Sequence, residues 1–245
     1  MVSIIIATYN AELFISRALD SVLSLKNKNW ECLVIDGLSS DATIDIVQKY
    51  VEKDHRISYF SEKDKGIYDA FNKGWKNAKG EWIYYLGSDD VLTVDGLNDL
   101  MLLAEDAAPG VGVINGGVYR KTVDGRIRKI ISNGFIGSHQ GMIMRRSAIQ
   151  ELGGFNTDYK IIADYDLFIR MKCSHWDVVN CNSLVAYFNS GGASEKFSTL
   201  NVVFREKYKI LQGDPTCKYP FFNTFYDIAR TVLGALIHRF LKIIK

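Results

Sequence analysis

The sequence predicts an α/β fold with a mostly parallel central sheet, and three observations predict it. Short apolar, β-branched runs alternate with stretches of helical periodicity over residues 2–86. The alternation gives three successive strand–helix–strand units, which require right-handed crossovers and parallel neighbours. The runs end in polar residues: Thr8-Tyr9-Asn10, Asp36, Ser61-Glu62 and Ser88-Asp89-Asp90. In open α/β sheets ligands bind outside the carboxyl ends of the strands, so chemistry is expected there.

The elements follow in order. Residues 2–7 read as a buried strand. Residues 11–25 read as a helix with Leu13, Phe14, Ala18, Val22 and Leu25 on one face. Strands are predicted at 31–36, 57–60 and 82–86, separated by helices at 43–53 and 67–78. The second half changes character. A helix over 94–106 precedes a Gly-rich hairpin over 111–132 that turns at Asp124-Gly125. A short strand is predicted over 139–144 and a helix over 146–152 that ends at Gly153-Gly154. A helix over 163–172, a strand over 177–188 and a helix over 195–211 follow. No Pro- or Ser-rich linker divides the chain.

Bulk properties exclude several classes. At 245 residues, with 47% hydrophobic and 24% charged residues, the chain is an ordinary globular one with a substantial core. A net charge of +2 supplies no global field for nucleic acid. Cys32, Cys173, Cys181 and Cys217 have no CxxC spacing, and His55, His139, His175 and His238 show no ligand spacing with them. Free thiols in a reducing cytosol are expected rather than structural zinc. The start, MVSIIIATYN, lacks a basic n-region and reads as a first strand. No apolar run reaches the length of about 18 residues that spans a bilayer.

The first strand ends in A7-T-Y-N-A11, which is neither the dinucleotide fingerprint nor a P-loop. Asp89 and Asp90 stand side by side at the tip of the apolar run W82-I-Y-Y-L-G87. Adjacent carboxylates repel, and a divalent cation is the expected compensation. One of them can accept hydrogen bonds from a ribose while the other coordinates Mg²⁺ or Mn²⁺ on a diphosphate. An acidic turn before a helix is the plainer alternative. Asp36 also follows a buried strand and faces the ligand crevice, whereas Asp41 serves equally well as a helix N-cap. Asp164 opens a helix, where it either projects into a cleft or caps; Asp166 and Arg170 are spaced as an i,i+4 pair.

Five motifs occur in sequence: A-T-Y-N; D36-G-x-S-x-D-x-T; D64-K-G-I-Y-D-A-F-N-K-G74; G80-E-W-I with G-S-D-D90; and H139-Q, G153-G-F and A-D-Y-D-L-F-I-R170. Together they resemble family 2 glycosyltransferases of the bacterial polysaccharide-assembly type over about residues 1–192. The resemblance implies a GT-A fold, a single Rossmann-like domain whose central sheet is flanked by helices. It implies an inverting, metal-dependent transfer from a nucleotide-diphospho sugar, by default a UDP-sugar, to a glycan or lipid-linked acceptor. It further implies a donor site of Ala7, Tyr9, Asp36, Asp64 and Asp89, with Asn72 and Lys73 nearby. Asp90 would hold Mn²⁺ or Mg²⁺, His139 and Gln140 would line the donor–acceptor cleft, and Asp164 would be the general base. Two positions depart from the family pattern: Ala163 stands where the family commonly has Glu, and Gly87 stands where an acidic residue is common. A nucleotidyltransferase and a non-catalytic binding module are the competing readings. The first wants a Gly-rich phosphate loop after strand one, and the second fits poorly with the retained Asp36, Asp90 and Asp164.

The expected organisation is a transferase unit over 1–212, with a donor half at 1–110 and an acceptor half at 111–212, followed by a helical tail over 213–245. Within that tail, residues 224–245 place Phe225, Ile228, Val232, Leu236, Phe240 and Ile244 on one stripe. Arg230, His238, Arg239, Lys242 and Lys245 lie on the polar side. Such a basic amphipathic helix docks on its own core, on a second copy, or on a membrane surface, here the inner face of the cytoplasmic membrane. S190-G-G-A-S194 reads as a mobile loop beside the donor.

Overall fold

Strands that are apolar on both faces need cover on both, and the first, second and fourth strands have it, whereas the third, at the sheet edge, is mostly exposed. The computed structural model describes residues 1–122, 125–131, 138–189, 192, 194 and 196–229. Strands β1 (Val2–Thr8), β2 (Trp30–Asp36), β3 (Ile57–Ser61) and β4 (Trp82–Gly87) pair in parallel in the order β3-β2-β1-β4. Along β1, Ile4 and Ile6 enter one core layer and Ile5 the other, all fully buried. The first layer is covered by α1 (Ile15–Leu23), α2 (Thr43–Lys53) and α4 (Gly96–Glu105). The second is covered by α3 (Ile67–Asn77), α5 (Arg146–Glu151) and α6 (Ala163–Lys172).

Beyond β4 the sheet is mixed. It continues through β8 (Met142–Arg145), β6 (Val111–Lys121), β9 (Asp177–Asn189) and β5 (Val91–Leu92), while β7 (Ile127–Ile131) pairs with β6. β8 is antiparallel to β4 and to β6, and β6 is parallel to β9. The parallel expectation holds without interruption from β3 to β4; beyond β4 only the β6–β9 pair is parallel. Arg145, nearly buried, ties the layers at the far end. Its guanidinium donates to Val111 O and Ala108 O, pairs with Glu81, and lies 4.5 Å from the Trp82 ring.

Several elements differ from their predicted bounds. The first helix starts at Ile15, not residue 11. Residues 11–14 form a turn instead, because the Ala11 amide donates to Thr43 Oγ1 at 2.8 Å and the Glu12 amide to Asp41 Oδ2 at 3.1 Å. Asp41 also accepts the Thr43 amide at 3.0 Å, although Ala42 occupies the cap position itself. The strand predicted over 139–144 begins only at Met142. His139–Gly141 is a single 3₁₀ turn closed by Gly141 N–H to Ser138 O at 2.8 Å. β5 was not predicted; two residues carry no periodic signal. The last predicted helix is a 3₁₀ turn at Phe197–Thr199 running into α7 (Leu200–Gly213). Asp124 of the predicted hairpin turn lies outside the described residues, and Gly125 has φ of +83°.

In the tail, residues 220–229 are helical; 230–245 lie outside the described residues. That helix docks on α7 through the Lys207–Asp227 pair at 2.6 Å and through Phe221 against Phe204 and Tyr208. Among the described residues no helix is long and apolar enough to cross a membrane.

α3 lies directly on β1. A Cβ at Gly74 would sit 2.4 Å from Ile5 Cγ2, and Ile5 is fully buried with nowhere to move. Gly74→Ala gains about 1 kcal/mol in helix propensity but overpacks this contact by about 1–3 kcal/mol. Urea unfolding is expected to show net destabilisation; a stabilised variant would mean that α3 can lift from the sheet freely.

Candidate active site

The parallel registers bring the strand ends into one row. Thr8 lies opposite Asp36, Asp36 opposite Ser61, and Ala7 opposite Gly87. A cleft of about 520 Å³ opens at this edge. Its lining joins Ala7, Gly87, Asp89 and Asp90 to His139 and Gln140 from the 3₁₀ turn and to Asp164 from the first turn of α6. Tyr68 and Phe71 of α3 and Phe188 and Asn189 of β9 complete its walls.

Asp164 keeps a quarter of its side chain exposed and is held by three donors. His139 Nδ1 lies 3.1 Å from Oδ2, and Oδ1 accepts the Tyr68 hydroxyl at 3.0 Å and the Tyr165 amide at 2.9 Å. Burial pushes its carboxyl up, but hydrogen bonding to His139, Tyr165 and Tyr68 prevails and holds it below its ordinary value. Asp164 is therefore a carboxylate at neutral pH, aimed by a fixed frame.

Asp90 is the opposite case. It is 4% exposed, and burial pushes its carboxyl up to about 7, with the charge of Asp89 adding to the shift. His139, a Gln140 hydrogen bond and the Asn189 backbone offset only part of this. The Asp90 carboxylate folds over Gly87: a Cβ there would lie 2.5 Å from Asp90 Oδ2 and 3.3 Å from Asp89 Oδ1. Glycine at 87, a departure from the family pattern, is what leaves room for both acids. The donors are hard oxygens, which suit Mg²⁺ or Mn²⁺. Among the described residues no three His, Cys, Asp or Glu side chains converge on one point. The protein thus offers one or two carboxylates, the pattern by which Mg²⁺-type ions are held together with substrate phosphates.

Three predicted donor residues stand outside the cleft lining. Asp36 is fully buried, and its carboxylate accepts the Ser39 amide at 3.0 Å and the Ser61 hydroxyl at 2.7 Å. Tyr9 and Asp64 converge on Gly37, where a Cβ would lie 2.7 Å from Asp64 Oδ2 and 3.5 Å from the Tyr9 ring. Tyr9 is 64% exposed, an open aromatic face beside the strand ends. Asn72 and Lys73 turn elsewhere. Asn72 exchanges hydrogen bonds with the Phe155 backbone, and Lys73 pairs with Glu62. Asp166 and Arg170 form the expected pair at 2.6 Å, and Arg170 also donates to Gly154 O at 2.8 Å.

Tyr68, Lys160, Phe188 and Asn189 were not singled out by the sequence. Tyr68 sat unremarked inside D64-K-G-I-Y-D-A-F-N-K-G74. The β9 pair comes from a strand whose crossing of the cleft mouth depends on the mixed sheet. Gly192 and Ser194 line the cleft; residues 190, 191 and 193 lie outside the described residues.

Acids facing one another across a cleft at the carboxyl edge of this sheet suit transfer from a donor that carries its own leaving group. The family described as Glycosyl transferase family 2 matches residues 3–168, and the chain belongs to it: it is a glycosyltransferase acting on nucleotide sugars. It is 30% identical over 178 residues to the PGL/p-HBAD biosynthesis glycosyltransferase of Mycobacterium tuberculosis, covering 69% of each chain. Two solved structures share the fold. One is S. aureus TarS 1-349 in complex with UDP-GlcNAc, with a TM-score of 0.70, 18% identity and coverage of 94% of this chain and 71% of that one. The other is the mannosyltransferase PcManGT of Pyrobaculum calidifontis in complex with GDP-Man and Mn²⁺, with a TM-score of 0.66, 18% identity and coverage of 97% and 74%. The nucleotidyltransferase and binding-module readings give way to the family.

The raised Asp90 carboxyl makes a stability prediction. A carboxyl of about 7 when folded and an ordinary 3.8 when unfolded loses stability for the fold as pH rises from about 4 to 7. In chelator, Asp90→Asn should therefore be more stable than the natural protein at pH 8, by at most about 4 kcal/mol, and equal to it near pH 4. Urea unfolding at the two pH values checks this; a difference independent of pH would contradict it.

Proposed function

We propose that this protein is an inverting, metal-dependent glycosyltransferase that uses a UDP-sugar. The acceptor is a hydroxyl of a glycan or lipid-linked glycan, in bacterial surface polysaccharide synthesis at the inner face of the cytoplasmic membrane. The observation that carries this reading is that Asp164 and the Asp89-Asp90 pair open onto one cleft. The donor half is 1–110, the acceptor half 111–212, and 213–245 the tail.

In this reading Tyr9 stacks on the nucleobase and Asp36, with lone pairs to spare beyond its serine partners, accepts the base N–H. Asp64 lies by the donor sugar and Asp89 accepts from the ribose. Asp90 would hold Mn²⁺ or Mg²⁺, which would supply neutralising charge for the departing diphosphate. Gln140 steadies Asp90 and is itself anchored by the Tyr84 hydroxyl on its carbonyl at 2.7 Å. Asp164 takes the proton from the acceptor hydroxyl as that oxygen attacks the anomeric carbon. His139 and Tyr68 keep it pointed there. One base and one displacement invert the anomeric centre. The donor brings its own leaving group, so no further cofactor is needed.

The GDP-Man and Mn²⁺ of one fold relative and the UDP-GlcNAc of another support a nucleotide-sugar and metal site on this scaffold. Exposed Tyr219, Phe222 and Tyr226 are followed later in the tail by Arg230, Arg239, Lys242 and Lys245, a combination that supports membrane-surface contact.

Asp164→Asn is expected to leave nucleotide binding intact and to lower turnover by about 10²–10⁴-fold. Release of nucleoside diphosphate and calorimetry on the same preparation check this. Unchanged turnover would remove Asp164 from the base role. Anionic vesicles are expected to sediment the full chain and neutral ones to leave it in solution; equal behaviour would contradict the membrane contact.

A further inference from the structure

Glu206 on α7 is 8% exposed, and a carboxylate so buried is costly unless its oxygens are satisfied. Its Oε1 accepts the Lys160 amide at 2.6 Å, and its Oε2 accepts the Ile161 and Ile162 amides, each at 3.1 Å. Three consecutive N–H groups form an anion nest that the chain fills with its own side chain. Among the described residues these amides, not a cationic side chain, are its partners.

The clamped strip leads into the site. Ile162 immediately precedes α6, and Asp164 sits in that helix's first turn. Lys160 and Ile161 themselves line the cleft. From the other side, the Tyr68 hydroxyl shares its one proton between Ile161 O at 2.6 Å and Asp164 Oδ1 at 3.0 Å. α7 adds a second hold, since Lys207 Nζ lies 4.9 Å from the Tyr165 ring, the residue after Asp164. Glu206 and Lys207 lie beyond the family match, which ends at residue 168.

We propose that Glu206 is a positioning residue: by clamping the 160–162 backbone from α7 it sets how far Asp164 reaches into the cleft. The inference rests on Asp164 as the general base. A displacement of about 1 Å at a reacting group can cost 10²-fold in rate, so the clamp matters for turnover and not only for folding.

The test is Glu206→Gln, which keeps the size but puts an NH₂ donor against backbone N–H groups. Turnover is read with a panel of UDP-, GDP- and dTDP-sugars as release of nucleoside diphosphate. The expected result is a fall in kcat of about tenfold to a hundredfold. Donor KM and nucleoside-diphosphate Kd should stay within about twofold, because uniform donor binding is untouched. Hydrogen exchange should show amides 160–162 losing protection while the β1–β4 strands keep theirs. Unchanged kcat, or kcat, KM and thermal stability falling together, would overturn the proposal. Should the variant not fold, hydrogen exchange on the unaltered protein decides. Amides 160–162 as protected as those of α7 support the clamp, and fast exchange there overturns it. Asp164→Asn in parallel separates the two readings. If it leaves turnover unchanged, the base assignment fails. If it lowers turnover as predicted while Glu206→Gln leaves kcat unchanged, only the clamp fails.

Discussion

Burying Asp90 against Asp89 costs free energy, and much of the site is arranged around that cost. The carboxyl is pushed up to about 7 by its surroundings, so without a cation the site carries a half-protonated acid at neutral pH that has no purpose in packing. β4 has to end where it does for this to occur. Its register with β1 sets Gly87 beside Ala7 at the carboxyl edge, and the missing Cβ at 87 leaves the space that the Asp90 carboxylate fills. In the proposed reading a cation shared with a bound diphosphate would remove the penalty and would make metal and donor binding interdependent.

Across the cleft the problem is one of aim rather than charge. Asp164 already sits below the ordinary carboxylate range, because its hydrogen bonds more than offset its burial. What it needs is a fixed direction, and three separate elements supply it: α3 through Tyr68, the 3₁₀ turn through His139, and α7 through the backbone held by Glu206. His139 also lowers the Asp90 carboxyl electrostatically, so one imidazole bears on both acids of the proposed reaction. Tyr68 stacks on Phe155 at 5.6 Å, and Phe155 is held by Asn72, so the G153-G-F155 turn buttresses the frame from behind. Gly154 has φ of +73°, and a Cβ there would meet Asn72 Oδ1 at 2.5 Å, which accounts for glycine in that motif.

Where local chemistry decides structure, the sequence was readable. α2 and α6 have the predicted bounds because a clear apolar period runs between clean ends. The core of β1, β2 and β4 is legible because strands buried on both faces must be continuously apolar. The mixed half was not, since β5 is two residues long and β8 four, too short for a period. The acids of the cleft could be found because carboxylates at strand ends have no packing role. Tyr68 and Glu206 could not be found that way. A tyrosine on an amphipathic helix and a glutamate in a charged one look ordinary until the fold sets them against Asp164 and residues 160–162.

The most direct test of the central claim is calorimetric titration with UDP, GDP and dTDP, in Mn²⁺ and in chelator, on the natural protein and on Asp90→Asn. The account predicts that one nucleotide binds in Mn²⁺, that chelator abolishes or greatly weakens binding, and that Asp90→Asn does the same in Mn²⁺. Tight binding indifferent to both metal and the Asp90 carboxylate, or no nucleotide binding under any condition, would contradict it.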